Sequence, residues 1–377
     1  MEKRWRGEIK KKVVVVREVF SVRTWGNLMM RVSGLKSIGV LVGILGLFTV
    51  FNGSGCSLRQ GGKEFWVYAG AIRVSPNGRW VAVGSDDGRL VIIDMWRSPA
   101  TFRLIDRIDC VSALTFSGDA QYLFVGNGDS TVYMWRTSTW QRLADTLITR
   151  FRVIQAMASP PQSDGLICGN GNRELPALQL FRRAPDSLKW YHSLTWFPDQ
   201  LLMYPSELLF TVDGRHLLID SYMGDLLRVP VSPDGRFHWS AVSAIYRRET
   251  HGMGGMAVSP RGRWLAFSPL TRDSVLIYDC HSRRIIHRIA VGECTPLAFD
   301  LHGQRLFMIK NRNQLVSVRC KDWQVEKVIP FPDFSLVYHM HSVPYQSRLV
   351  LQGSSHFVLW DYESEQIVLR FNLEDVR

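Results

Sequence analysis

The sequence predicts an all-β fold, a seven-bladed β-propeller of four-stranded antiparallel blades preceded by an N-terminal apolar signal or anchor helix. Three observations predict it. One strand–turn–strand pattern occurs seven times, the occurrences are 41 to 49 residues apart, and third and fourth strand-like segments follow. The 377-residue chain is 46% hydrophobic and contains 13 Trp and 30 Gly, a composition typical of a globular protein with many turns and aromatic strands.

The repeated pattern is clearest around its first turn, as in AIRVSPNGRWVAVG and GMAVSPRGRWLAFS. The turn position is occupied in turn by Gly78, Ala120, Gly165, Gly214, Gly262, Gly303 and Gln346. The third and seventh units are degenerate but fall where the period requires them. Three residues beyond the turn, the alternation of a half-buried strand predicts a core residue. In six units this residue is Val81, Leu123, Leu217, Leu265, Leu306 or Leu349.

A third strand follows a Gly, Asp or Asn turn, as in RLVIIDMW, STVYMW and HFVLWDY, and a more variable fourth strand comes next. Four antiparallel strands in about 40 residues make one propeller blade. A ring must also close, because an open ring would leave strand edges unpaired. Residues 65–68 and residues 366–371 are both able to supply the outer strand of the last blade, and the sequence does not choose between them.

Residues 65–377 resemble the WD-repeat family in its bacterial form. Third strands end in the dipeptides Ile93-Asp94, Tyr278-Asp279 and Trp360-Asp361. The Gly-His dipeptide that opens a WD repeat is missing from all seven units, so the hydrogen-bond network of that histidine is not expected. The resemblance implies a platform for protein partners, an inference that rests on analogy of fold.

The N-terminal segment predicts export. Residues 38–51 (IGVLVGILGLFTVF) are apolar or neutral apart from Thr49, and basic residues precede them. Fourteen helical residues rise about 21 Å, short of a ~30 Å hydrocarbon core but suited to a signal peptide. A translation start at Met29 or Met30 would give a signal of ordinary length.

A cysteine, Cys56, follows Gly53, Ser54 and Gly55 directly after this segment. The arrangement resembles the lipobox of bacterial lipoproteins, although Gly53 stands where that motif has Leu, and it implies lipidation of Cys56. An uncleaved anchor over the uncharged residues 37–58 is the alternative. We therefore divide the chain into a signal or anchor segment (1–56), a short linker (57–64) and the propeller (65–377), and expect an exported domain tethered to the membrane of the cell envelope.

The net charge of +12 does not indicate a nucleic-acid partner. Residues 1–55 contain ten Lys or Arg and three Glu, which leaves 36 basic and 31 acidic residues for the rest of the chain. No basic run or RNA-binding motif is found there. The charge therefore belongs mainly to the N-terminal segment.

Partner-binding residues are expected in the loops that join strand two to strand three and one blade to the next, since these loops share one face of the ring. Exposed aromatic and arginine side chains are good interface anchors. The candidates in three inter-blade links are Arg150, Phe151 and Arg152; Trp196, Phe197 and Tyr204; and Tyr246, Arg247, Arg248 and His251. For Trp196, Phe197 and Tyr204 the alternative is packing across neighbouring blades, and for the other two sets it is solvated charge without a specific partner.

No catalytic, cofactor or metal site is predicted. The sequence contains no GxSxG elbow, HExxH motif, P-loop or dinucleotide fingerprint, and its six cysteines form no CxxC pair. We interpret His339 and His341 as ordinary strand histidines, the acids Asp86, Asp220 and Asp273 as turn residues, and the cysteines as buried thiols.

The leading hypothesis is a non-enzymatic interaction scaffold at the bacterial cell envelope that binds a protein or peptide through its loop face. One alternative is a propeller enzyme, such as a hydrolase, a lyase or a quinone-dependent dehydrogenase, acting in the central funnel. It would require acids, histidines or arginines to converge from several blades. A cytosolic WD-repeat scaffold is the other alternative.

Overall fold

The computed structural model describes residues 55–377 except 61–62, 69–70, 86–87, 109, 129, 144–146, 150, 152, 163–164, 171–177, 185–186, 195–204, 222–224, 248–254, 270–273, 292–293, 312, 332–336, 354–355 and 377. The predicted signal or anchor helix therefore lies outside the described residues. Within the described ranges, no helix has the length and hydrophobicity that a membrane crossing needs.

Seven antiparallel sheets follow one another along the chain, each built from consecutive strands, as predicted. Blades 1 and 2 comprise β3 (Ala71–Val74), β4 (Trp80–Gly84), β5 (Arg89–Asp94) and β6 (Thr101–Arg107), then β7 (Val111–Phe116), β8 (Tyr122–Asn127), β9 (Thr131–Arg136) and an outer strand in two pieces, β10 (Gln141–Arg142) and β11 (Leu147–Ile148). Blades 3 and 4 comprise β12 (Ile154–Ala158), β13 (Gly165–Asn170), β14 (Leu178–Ala184) and β15 (Ser187–Leu194), then β16 (Pro205–Phe210), β17 (His216–Ser221), β18 (Leu226–Pro230) and β19 (Ser243–Tyr246).

The last three blades have the same order of strands. Blade 5 comprises β20 (Met256–Val258), β21 (Trp264–Phe267), β22 (Val275–Asp279) and β23 (Arg284–Ile289). Blades 6 and 7 comprise β24 (Cys294–Phe299), β25 (Arg305–Lys310), β26 (Gln314–Arg319) and β27 (Gln324–Pro330), then β28 (Val337–Ser342), β29 (Arg348–Gly353), β30 (His356–Asp361) and β31 (Gln366–Asn372). Short 3₁₀ helices are found at Trp239–Ala241 and Leu373–Asp375.

The structure identifies the strand that completes blade 7. The outer strand of this blade is β31, whereas the strand at Lys63–Tyr68 (β2) pairs with Gly55–Gln60 (β1) in a separate hairpin. No strand is exchanged between the chain ends within the described residues. The hairpin occupies the region where the sequence analysis expects a linker, and the first blade begins at Ala71.

The core consists of one apolar cluster at each interface between neighbouring blades, seven in all. Alternate residues of one strand belong to different clusters: Val81 and Val83 pack toward blade 7, and Ala82 packs toward blade 2. Both faces of a blade are therefore buried. The six predicted core residues, Val81, Leu123, Leu217, Leu265, Leu306 and Leu349, are each 0% exposed, which confirms the prediction.

The first turn of most blades needs a left-handed residue. Gly78 has φ +68°, and its N–H donates to the carbonyl of Ser75 at 2.9 Å. A Cβ on Gly78 would also lie 2.2 Å from the carbonyl oxygen of Pro344 in blade 7, so glycine is required for close packing as well. Two turn assignments are corrected: Gly165 is the first residue of β13, and the left-handed residue of the last turn is Tyr345 (φ +63°), not Gln346.

The aspartate that ends several third strands stabilises the turn that follows it. Asp279 Oδ1 accepts hydrogen bonds from the N–H groups of His281 (2.8 Å) and Ser282 (2.9 Å), and these bonds hold the pKa of Asp279 below its usual value. Its Oδ2 faces the guanidinium of Arg263 at 3.8 Å. The equivalent acids Asp94 and Asp361 face Arg79 and Arg348. An arginine thus faces this aspartate in three blades that lack the Gly-His dipeptide.

Tryptophan pairs join two of the blade interfaces near these turns. Trp80 of blade 1 meets Trp140 of blade 2 edge-to-face at 5.0 Å, and Trp264 of blade 5 meets Trp323 of blade 6 in the same way at 5.2 Å. Such pairs contribute about 0.5–1.5 kcal/mol beyond their burial.

Side chains, not a shared strand, close the ring between blades 7 and 1. Arg89 of blade 1 donates to the carbonyl of Leu373 at 3.0 Å, and Phe102 stacks on Phe371 with ring centroids 4.4 Å apart. Leu373 and Val376, which follow the last strand, are 1% and 5% exposed and belong to the cluster between these two blades. The C-terminal residues therefore seal the seam.

Leu373→Ala should lower the free energy of unfolding by about 2–5 kcal/mol, because it leaves a cavity in the apolar cluster that closes the ring. Urea unfolding followed by tryptophan fluorescence measures the change. Val368→Ala is the control, because Val368 on β31 is 37% exposed. It should change the free energy of unfolding by less than about 0.5 kcal/mol. Equal effects of the two substitutions would show that the seam does not depend on Leu373.

Candidate functional site

The innermost strands of the seven blades (β3, β7, β12, β16, β20, β24 and β28) surround the axis of the ring, and we call the space between them the central channel. Near one end of these strands, the residue that pairs with the second strand is small in blades 1 to 3. The pairs are Ala71 with Gly84, Ala113 with Gly126, and Ala156 with Gly169. A Cβ on Gly84 would lie 2.2 Å from the side chain of Val111, so close packing of neighbouring blades requires small residues here.

Blades 4 and 7 depart from this pattern with polar residues. Glu207 pairs with Asp220 in blade 4, and His339 pairs with Gln352 in blade 7. Two carboxyl groups directly opposite each other on neighbouring strands repel, which makes the pair in blade 4 costly to the fold. Departures from a repeated structural rule are expected at functional positions. The polar pairs of blades 4 and 7 therefore indicate a candidate functional site in the channel.

The Glu207 carboxyl has few partners for its charge. Its Oε2 accepts one hydrogen bond, from the N–H of Met256 at 3.3 Å. Burial raises the pKa of Glu207 to about 7; Arg73 lowers it, the neighbouring Asp220 raises it, and the Met256 N–H lowers it. Asp220 is 1% exposed, and its Oδ2 accepts a hydrogen bond from Ser206 at 3.1 Å. Asp220 thus lies inside β17, and its assignment to a turn was wrong.

Arg73, on the innermost strand of blade 1, has neutral partners. Its Nη1 donates to the carbonyl of Ile72 at 3.0 Å and lies 3.0 Å from Nε2 of His341, on the innermost strand of blade 7. Burial, together with the charge of Arg73, holds the pKa of His341 well below its usual range. His341 is therefore neutral, and its Nε2 accepts the hydrogen bond from Arg73.

Arg73 and Glu207 influence each other although their blades are not neighbours. Burial lowers the pKa of Arg73, and the charge of Glu207 opposes this shift. Two blades separate blades 1 and 4 on one side of the ring and three on the other. Their side chains can approach each other only across the central channel. Arg73, Glu207 and His341 thus belong to the innermost strands of three blades around the same channel.

The predicted loop-face residues fall into three groups. Trp196, Phe197, Tyr204, Arg248, His251, Arg150 and Arg152 lie outside the described residues. Phe151 is 3% exposed and packs in the cluster between blades 2 and 3. It is a core residue, so it is removed from the candidate surface.

Tyr246 packs against a neighbouring blade, whereas Arg247 is exposed. The Tyr246 ring packs against Phe267 of blade 5, with ring centroids 5.5 Å apart. Arg247 has a side chain 73% exposed, and its Nε lies 3.9 Å from Asp225 Oδ2. A distant, exposed pair of this kind contributes little to stability. Arg247 is therefore the described candidate that remains available to a partner.

Comparisons with known proteins agree with this fold. Residues 60–94 and 106–136, which include the first three strands of blades 1 and 2, match the family model "WD domain, G-beta repeat". The β-propeller domain of Cps50 (Swd1) from Myceliophteria thermophila is similar in structure, with a TM-score of 0.59 and 16% sequence identity over 81% of this chain and 98% of that one. The chain is a WD-repeat-like β-propeller. No curated protein matches it. WD-type propellers usually serve as protein-interaction scaffolds.

The cysteines of the propeller show no sign of nucleophilic activation among the described residues. Cys110, Cys168, Cys280 and Cys320 are not in disulfide bonds. Burial raises the pKa of Cys168, that of Cys280 to about 11 and that of Cys320 to about 12. A nucleophilic cysteine needs a lowered pKa, so these three are inert at neutral pH. The described residues also contain no group of His, Cys, Asp or Glu able to hold a metal ion.

Sequence reasoning did not select Arg73 and Glu207, because pairing across the channel depends on ring geometry. The sequence nevertheless contains a pattern that would have indicated Glu207. When the seven units are aligned, the innermost-strand position is Ala71, Ala113 and Ala156 in the first three and Glu207 in the fourth. A carboxyl where the repeat has alanine is the kind of departure that marks a site.

Glu207 predicts a pH effect on stability. The unfolded carboxyl has its ordinary pKa of 4.5, whereas the folded one has a pKa of about 7. Between these values the folded state keeps a proton that the unfolded state has released, so stability falls as pH rises, by up to about 1.4 kcal/mol per pH unit. Glu207→Gln should remove this fall.

Urea unfolding at pH 5, 6 and 7.5 measures this difference between wild type and variant. Glu363→Gln, whose side chain is 60% exposed in the wild type, is the matched control and should keep the wild-type dependence. A Glu207→Gln protein with the same pH slope as wild type would contradict the shifted pKa.

Proposed function

We propose that the protein is a non-enzymatic scaffold that binds a protein or peptide partner through the face formed by its inter-blade links. The observation that carries the proposal is the WD-type ring itself, a rigid frame in which every blade is fixed by apolar packing on two sides. Arg247, exposed on one of these links and only loosely paired with Asp225, supports an acidic contact in the partner.

The convergence of Arg73, Glu207 and His341 meets the condition that a catalytic channel would require. We keep the scaffold as the leading proposal because convergence of charged groups provides a binding site without providing a reaction. Cys168, Cys280 and Cys320 also have raised pKa values, which disfavours thiol chemistry. The propeller enzyme remains the second candidate on the strength of the channel residues.

Arg247→Ala should reduce capture of the partner about fivefold or more, since an interface arginine paired with a carboxylate contributes more than about 1 kcal/mol. The measurement is affinity capture by the tagged full chain from its native cells, with quantitative mass spectrometry. Arg97→Ala is the matched control: its side chain is 70% exposed and 3.6 Å from Asp94, but it lies in a strand three-to-four turn on the opposite face. Capture reduced equally by both, or by neither, would count against the loop face.

We further propose that the chain is exported and tethered to the cell envelope through its N-terminal segment, with Cys56 lipidated. Labelling growing cells with an alkyne analogue of palmitate should mark the wild-type chain in the membrane fraction, and Cys56→Ala should abolish the label. Cys280→Ala, which alters another cysteine, should keep it.

The same labelling experiment separates the alternatives. A wild-type chain that is unlabelled but found in the membrane fraction would contradict lipidation and favour an uncleaved anchor. A chain that is unlabelled and absent from the membrane fraction would favour the cytosolic scaffold.

A further inference from the structure

The channel contains two charged groups of opposite sign that do not touch a counter-ion. Arg73 contacts a backbone carbonyl and the neutral His341, and Glu207 contacts a backbone N–H. No ion pair within 4.0 Å joins Arg73 to Glu207 in the described part of the chain. Buried charges are normally paired, because an unpaired charge loses its hydration without compensation. This arrangement leaves both charges under-compensated in the free protein.

The two groups lie on opposite sides of the channel. Arg73 belongs to the seam between blades 7 and 1, and Glu207 belongs to blade 4 across the axis. Both residues belong to innermost strands, which surround the channel, and both are only partly exposed. The cationic side thus offers guanidinium N–H donors, and the acidic side offers the carboxyl of Glu207.

A further polar atom at the seam lacks a partner. Gln352 is 1% exposed, and its Nε2 donates to the carbonyl of Gly84 at 3.1 Å. Its Oε1 is buried and accepts no hydrogen bond within the described residues. A buried acceptor without a donor costs about 1–3 kcal/mol, so its presence calls for a reason. It lies at the same level of the strands as the Glu207–Asp220 pair, opposite His339.

We propose that the central channel binds a small zwitterionic molecule, one that carries an anionic carboxylate and a cationic amine. The carboxylate accepts hydrogen bonds from Arg73, and the amine donates to Glu207. Each end of such a molecule supplies the charge that its side of the channel lacks. A molecule with only one charge would satisfy one side and leave the other uncompensated, so the site selects for both charges together.

The protonation of Glu207 is consistent with this arrangement. In the free protein, burial raises the pKa of Glu207 to about 7 despite the charge of Arg73, so the carboxyl loses its proton near neutral pH. A bound ammonium group would favour the ionised carboxylate, because an opposite charge at contact distance lowers the pKa of an acid. Arg73 is suited to the other end, since its planar guanidinium matches the two oxygens of a carboxylate.

The proposal is tested with the full chain and four ω-amino acids of increasing charge separation: glycine, β-alanine, γ-aminobutyrate and 5-aminopentanoate. Binding is measured at pH 7.5 by thermal shift and isothermal titration calorimetry, with acetate and methylammonium as singly charged probes. At least one ω-amino acid should raise the melting temperature by mass action, and the two singly charged probes should not. The length that binds best reports the distance between the two charged groups.

Glu207→Gln should weaken the best ligand about tenfold or more, because it replaces a charge-assisted hydrogen bond by a neutral one. Glu207→Gln removes a buried charge and should stay folded, so it serves as the main variant even if Arg73→Gln fails to fold. Glu363→Gln, an exposed acid on a turn, should bind as wild type does.

Three results would overturn the proposal: no binding of any ω-amino acid at about 10 mM, a concentration that detects even millimolar affinity; equal binding of acetate or methylammonium; or undiminished binding by Glu207→Gln. The channel and the loop face are tested by different substitutions. Loss of ligand in Glu207→Gln with normal capture of the protein partner, or the reverse, would distinguish failure of one proposal from failure of the other.

Discussion

The structure depends on the packing of each blade against two neighbours. In an ordinary half-exposed sheet, alternate side chains face water, but here both faces of every blade lie against another blade. Val81 and Ala82 are adjacent in sequence, are both 0% exposed, and belong to different apolar clusters. Most strand residues must therefore be apolar, whichever face of the blade their side chains lie on. No blade is stable without its neighbours.

This constraint explains which parts of the fold could be predicted from the sequence. The seven units are visible because each blade repeats the same turn, with a left-handed residue such as Gly78 or Gly262 at one position. The core residues follow from their distance to that turn. The degenerate third unit shows the limit: without a left-handed glycine, the turn position was assigned to Gly165, which is already in the strand. The outer strand of the last blade could not be predicted, because 65–68 and 366–371 have equally suitable sequences and only the pairing of β2 with β1 distinguishes them.

The candidate site was harder to predict than the fold. Interface anchors were inferred from residue type, yet Phe151 in a loop is a core residue and Tyr246 packs on Phe267, because aromatic rings in links between blades find apolar partners nearby. The channel residues lie far apart in sequence and meet only because the ring brings blades 1, 4 and 7 around one axis. A linear pattern contains the anomaly of Glu207 among alanines but does not contain the distance to Arg73. The repeated turn and strand pattern predicted the blades. The grouping of the channel residues depends on closure of the ring, which no local pattern contains.

The absence of strand exchange in the described blades has a consequence for how the ring is made. Many residues of the seam belong to blade 7 and the short helix after it, which are synthesised after blades 1 to 6. Until they emerge, blade 1 and blade 6 each present a bare apolar sheet face to solvent or to a chaperone. Val83 of blade 1 and Phe307 of blade 6, both fully covered in the finished ring, are among the residues so exposed. The nascent chain is thus open to wrong associations until blade 7 has emerged. Its completion is a single late event in which Leu373 and Val376 arrive at the seam together.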